Sequence, residues 1–184
     1  MKKTIFKVLH PLLWLIMQIS YLKSRVKDKE NRIIDGYMDF IRIQQFARDV
    51  RVAWNYQLDP FWGLWNTISP PTTNELLREG DCDDYASVLI GRYIDTSKSY
   101  LYTYFPTDLR RAHSVPVFVL KDGSLLTINW GESYIVKTQK DLIKLYEDIF
   151  GVTIFSNHYA KWDNKKGRFR WTRKVDCRRE VTKR

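Results

Sequence analysis

Cysteine is scarce in this 184-residue chain: Cys82 and Cys177 are the two, 95 positions apart. That excludes a small fold stapled by disulfides. The two cysteines and three histidines show no CxxC or HxxxH spacing, so a zinc site has little support. No GxGxxG, P-loop or GxSxG motif is present, which leaves nucleotide binding and serine-hydrolase chemistry without a signature. The EF-hand pattern is also missing, and no internal repeat or low-complexity linker is visible. Apolar runs are short as well. Lys7, His10 and Pro11 interrupt the first, and Gln18 and Ser20 the next, so nothing approaches the roughly 20 residues that span a bilayer. No small-x-small cleavage site follows. The expected form of this arm is an amphipathic helix lying on a partner or a membrane surface, with an uncleaved signal-anchor as the alternative. Two distant cysteines fit a reducing or an oxidising space, so the compartment stays open.

What is present is 44% hydrophobic and 28% charged sequence, enough for one globular domain. The net charge of +10 is unevenly spread. Residues 1–30 sum to +5, residues 161–184 to +8, and the middle to −3. The expected organisation is a basic amphipathic arm (1–30), a domain over 31–160, and a basic aromatic C-terminal segment (161–184).

Apolar residues from Ile33 to Trp54 recur at spacings of three and four, which predicts a helix over 33–56. A Pro-rich connector, Ser69-Pro70-Pro71-Thr72-Thr73-Asn74, leads towards Gly80. Asp81 then caps a helix whose Tyr85, Ala86, Leu89, Ile90, Tyr93 and Ile94 form one apolar stripe. Strands are predicted over 100–105, 115–120, 124–130 and 152–155, with a helix over 139–150 between Thr138 and Gly151. Helices first, then mainly antiparallel strands, indicate an α+β fold.

Cys82 stands in the first turn of its helix, where the macrodipole favours an anion. Asp81, Asp83 and Asp84 repel a thiolate, so activation needs an imidazolium close by; otherwise Cys82 is a buried structural cysteine. Three histidines are available: His10 in the basic arm, His158 near the C-terminal edge, and His113 at the mouth of the strand beginning at Val115. The hairpin gives a geometric test. If Lys121-Asp122-Gly123 forms a three-residue loop, Leu120 pairs with Ser124 and Asn129 lies opposite Val115. His113 and Asn129 then share a face, roughly 7 Å apart on the diagonal. A two-residue loop would put them on opposite faces. Gly123 at the third loop position favours the first register. A thiol delivered from a helix packed on that face completes a Cys–His–Asn set.

These residues resemble the transglutaminase-like superfamily, most closely its bacterial cysteine peptidase branch. Gly80-Asp81-Cys82-Asp83-Asp84-Tyr85-Ala86 looks like that family's nucleophile motif, and Ala112-His113-Ser114 like its histidine motif. Leu125-Leu126-Thr127-Ile128-Asn129 falls where the family carries an acidic third residue, which is Asn129 in this chain. The resemblance spans about residues 33–135. It implies a papain/transglutaminase-like core, with the thiol helix packed on an antiparallel sheet. It further implies acyl transfer on a peptide or protein amide, with Cys82 as nucleophile, His113 as base, Asn129 as orienter and no cofactor. The oxyanion hole would combine the Cys82 N–H with one side-chain donor, for which Trp65 and Gln57 are candidates.

Other readings stay beside this one. Asp81, Asp83 and Asp84 suggest calcium, but capping accounts for Asp81 and Asp84. The segment Gly167-Arg168-Phe169-Arg170-Trp171 alternates like an edge strand guarded by charge. Together with the other basic residues of 161–184, it also suits a polyanion such as nucleic acid, a cell-wall polymer or lipid headgroups. The chain is then either a cysteine acyl-transfer enzyme, an assembly component that keeps the fold and holds partners through its basic ends, or a nucleic-acid-binding module.

Overall fold

Residues 40–57, 78–92, 99–120, 122–163 and 168–172 are described in a computed structural model of the chain. The basic arm (1–30), the Pro-rich connector, Trp65 and Cys177 lie outside the described residues. Among the described residues, no helix is long and apolar enough to cross a membrane.

The architecture is α+β, with helices on an antiparallel sheet, as the element order implies. Helix α1 covers Phe40–Val52 and places Ile43 and Ala47 in the core. The predicted helix runs on to residue 56, but the chain turns at Ala53 and leaves as strand β1, Asn55–Tyr56. Strand β1 pairs in parallel with β2, Glu79–Gly80, an association no local pattern announces. Helix α2, Cys82–Arg92, follows directly. Strand β3 is Ser99–Pro106, and a single helical turn at Leu109–Arg111 leads to β4, His113–Val119. Strands β5, Leu125–Asn129, and β6, Glu132–Val136, form the next hairpin. The sequence reading carries β5 on to Trp130 and has no β6; Trp130 instead begins the turn. Helix α3, Gln139–Phe150, has the expected ends. Thr138 and Asp141 form a reciprocal capping box, and Gly151 closes the helix in the left-handed conformation. Strand β7 extends over Ile154–Asp163, well beyond the predicted 152–155, and β8 is Arg168–Thr172.

Among the described residues, six strands form one sheet in the order β6-β5-β4-β3-β7-β8, every neighbouring pair antiparallel. Alternation along the strands builds a core on each face. On one face Leu101, Phe105, Phe118, Leu126 and Ile128 pack with Tyr85, Ala86, Leu89 and Ile90 of α2 and with Ile43 and Ala47 of α1. On the other, Tyr102, Tyr104, Val115, Val117 and Leu125 pack with Leu142 and Tyr146 of α3. Burying each large apolar side chain contributes about 1.5–3 kcal/mol, which is why α2 is held so firmly. Trp162 and Phe169, which the sequence reading assigns to the basic C-terminal segment, are buried in the α2-side core. β8 is an edge strand, with Arg170 exposed and paired to Asp163 at 3.2 Å.

Gly80 fixes the approach to α2. Its φ is +135°, and a Cβ there would overlap the Asp84 carboxylate. Gly80→Ala therefore carries both backbone strain and a clash. We expect it to destabilise the fold by about 2 kcal/mol or more, read from urea unfolding midpoints. An unchanged midpoint would contradict this packing.

Candidate active site

Asp81 caps α2. Its Oδ1 accepts the Asp83 N–H at 3.1 Å, and its carbonyl accepts the Tyr85 N–H. The Asp84 N–H goes to Asp83 Oδ1 at 3.0 Å. Capping thus accounts for Asp81 as expected. Asp81, Asp83 and Asp84 keep carboxylate oxygens within 4.8 Å of one another, close enough for a cation. Cys82, the first residue of α2, is held between these buried carboxylates.

The hairpin has the three-residue register. Val117 faces Thr127, Phe118 faces Leu126, and Val119 faces Leu125, while Leu120 N–H donates to Ser124 C=O at 2.8 Å. His113 and Asn129 consequently meet on one face, with His113 Nε2 and Asn129 Oδ1 3.0 Å apart. An amide oxygen only accepts, so Nε2 carries the proton and Nδ1 keeps its lone pair. Tyr104, opposite His113 on β3, and Phe150 of α3 stand edge-on to the imidazole, with centroids at 5.9 and 5.5 Å.

The thiol arrives by a different route from the expected one. Helix α2 packs on the opposite face of the sheet from His113 and Asn129, so a thiol from a helix on their own face is not what the chain builds. The sulfur reaches the histidine's strand through the plane of the sheet. Because Leu120 N–H points to β5, N–H groups of β4 counted back by twos share that direction. Pro116 occupies one such position and has no N–H, and the β4–β5 ladder stops just before it, at Val117 and Thr127. The next such donor, Ser114 N–H, is left to Cys82 Sγ at 3.4 Å. This donor is not among the sequence-predicted site groups; a proline inside an otherwise clean β run is the signal for it. The Ser114 side chain is tied down as well, its hydroxyl 2.8 Å from that of Thr103 on β3.

Electrostatics place both groups in their neutral forms. Burial raises the Cys82 pKa well above the ordinary thiol value, with Asp81 and Asp83 adding to it and the Ser114 N–H opposing. The macrodipole does not win here. Burial lowers the His113 pKa, against the Asn129 hydrogen bond and the Asp81 charge. Of the oxyanion candidates, Gln57 is exposed; its Nε2 donates to Glu79 Oε2 at 3.0 Å and its N–H to Gly80 C=O. His158 belongs elsewhere, buried in β7 with Nε2 3.4 Å from Ser156 Oγ.

No family model and no curated protein matches the chain. Among solved structures it is similar to LapG of Legionella pneumophila. One LapG structure is 19% identical, with 74% of this chain and 70% of that one covered at a TM-score of 0.44. The other, calcium-bound, is 15% identical over 70% and 68% at 0.43. Likenesses this distant carry nothing about chemistry, which rests on the geometry above.

The lowered His113 pKa fixes a sign for acid stability. As pH falls, the unfolded chain takes up the proton first, so the stability contribution is complete above the ordinary value of 6.5 and declines below it. We expect the urea midpoint to fall between pH 7.5 and pH 5, and to fall less in His113→Gln. Equal pH dependence in the two proteins would contradict the desolvated neutral ring.

Proposed function

We propose that this chain is a cysteine-dependent acyl-transfer enzyme, a peptidase, amidase or transglutaminase, with Cys82 as nucleophile, His113 as general base and Asn129 as orienter. The observation that carries the reading is the 3.0 Å contact between His113 Nε2 and Asn129 Oδ1, on the strand whose next N–H holds Cys82 Sγ. The motif resemblance to transglutaminase-like cysteine peptidases supports the same assignment.

The neutral pair defines the mechanism. Cys82 Sγ attacks an amide carbonyl while His113 Nδ1 takes the thiol proton, so sulfur becomes nucleophilic only as it reacts. The imidazolium returns that proton to the leaving amine as the C–N bond breaks, which leaves a thioester. Water or a second amine, deprotonated by the same Nδ1, then displaces the thiol and restores the pair. Asn129 keeps Nε2 as the donor throughout. As an amide, it orients the ring without the charge stabilisation that an aspartate gives an imidazolium. The Cys82 N–H, at a helix start, serves in this reading as one oxyanion donor.

Alkylation by iodoacetamide, in which sulfur displaces iodide, tests the assignment. Mass spectrometry should show Cys82 labelled faster than Cys177 at pH 7, with a rate nearly level from pH 7 to 8 because His113 is already in its base form. A free thiol run alongside as reference should rise about tenfold per pH unit below its pKa near 8.5. His113→Ala should slow Cys82 labelling by about 10²-fold or more. Equal labelling of both thiols, or a lead that survives His113→Ala, would overturn the assignment.

A further inference from the structure

The turn between β5 and β6 departs from hairpin chemistry. Asn129 faces Glu132, so the loop is Trp130-Gly131, with φ values of +47° and +86°. This is the type I′ pattern, whose first position favours Asn, Asp or Gly because a Cβ crowds the following carbonyl there. Tryptophan is a poor choice for making that turn. Strain of this kind is kept where the side chain has other work.

The Trp130 ring joins an aromatic group carried by the elements that lead into and out of Cys82. It lies 4.8 Å from the ring of Tyr85, three residues along α2 from Cys82, and 5.4 Å from that of Tyr56. Tyr56 is paired with Gly80, two residues before Cys82. Trp54 stands edge-on to Tyr85 at 5.6 Å and donates its Nε1–H to Gly80 C=O at 3.1 Å, fixing the group against β2. Tyr85 is buried as a floor, with its hydroxyl donating to Ala47 C=O at 2.7 Å, whereas Tyr56 is 51% exposed. A partly exposed aromatic group therefore lies on the α2 face, with Trp130 next in sequence to Asn129 and Tyr85 one helical turn from Cys82.

We propose that Tyr56 and Trp130, on the Tyr85 floor, form a subsite for a large apolar or aromatic side chain of the peptide, next to the amide that Cys82 attacks. This deepens the acyl-transfer reading and rests on it. The nearby charges are of both signs, with Arg48 and Arg51 against Gly131 and Glu79 and Asp81 flanking Gly80, so they select neither an acidic nor a basic side chain. An uncharged aromatic ring instead gains edge and offset contacts with two rings.

Acyl-amino-acid chloromethyl ketones test the subsite, because Cys82 Sγ displaces chloride and the thioether is counted by mass. The phenylalanine reagent should label Cys82 roughly tenfold or more faster than the alanine reagent, the scale on which an apolar pocket discriminates. An aspartate reagent should show no gain. Tyr56→Ala and Trp130→Asn should each reduce the Phe/Ala ratio below about threefold, whereas Tyr56→Phe, which keeps the ring, should preserve it. Ile135→Ala, 55% exposed on β6, is the remote control and should leave the ratio alone. Taking a ratio within each variant removes any change in folded fraction. Equal Phe and Ala rates in the wild-type protein, or a preference that persists in both Tyr56→Ala and Trp130→Asn, would overturn the subsite. If iodoacetamide labels Cys82 selectively while the Phe reagent gains nothing, the subsite alone falls. If iodoacetamide shows no selectivity for Cys82, the nucleophile falls and the subsite with it.

Discussion

The hydrogen bond between His113 and Asn129 is set by counting residues. Side chains alternate faces along a strand, so one residue more or fewer in the β4–β5 loop would send the two groups to opposite sides of the sheet. Lys121-Asp122-Gly123 supplies the count, with Ser124 accepting from Leu120 and Gly123 donating to the Leu120 carbonyl. A net hydrogen bond contributes only about 0.5–1.5 kcal/mol. What this one controls is chemical rather than energetic: it decides which imidazole nitrogen holds the proton and which can accept one.

The thiol depends on a second constraint, the missing N–H of Pro116. The β4–β5 ladder ends beside it, and the Ser114 N–H two residues back goes to Cys82 Sγ. The two helices pack on opposite faces while Cys82 Sγ accepts the N–H of Ser114, the residue next to His113 in the chain. Cys82 and His113 are both half-buried there, and the electrostatic result is consistent. Desolvation disfavours the thiolate and the imidazolium alike, so both groups are favoured in their neutral forms, and the proposed mechanism moves the proton as sulfur attacks. The helix start at Asp81 contributes an ordered N-terminus, and its charge opposes rather than assists ionisation of the thiol.

Local chemistry made much of this legible. Thr138, Asp141 and Gly151 announce both ends of α3, the Asp122-Gly123 loop gives the hairpin register, and Asp81 with the stripe from Tyr85 gives α2. Elements defined by distant partners were not legible. β1 and β2 are two-residue strands stabilised by each other across 22 intervening residues, and Asn55–Tyr56 continues a helical apolar rhythm until tertiary pairing overrides it. β6 follows a turn whose first residue, Trp130, is the wrong type for that turn, so the signal was absent for a functional reason in our account. The face on which α2 packs, and the electrostatic outcome at Cys82, required the whole sheet. A helix N-terminus suggests a lowered thiol pKa, and only the burial and the facing carboxylates reverse it.

The tautomer of His113 bears most directly on these ideas. Long-range nitrogen–proton correlation on ¹⁵N-histidine-labelled protein at pH 7.5, assigned with His113→Gln, reads each ring nitrogen separately. The account predicts a neutral ring with a protonated Nε2 and a bare, pyridine-like Nδ1. A proton on Nδ1, or a ring charged on both nitrogens at that pH, would contradict it.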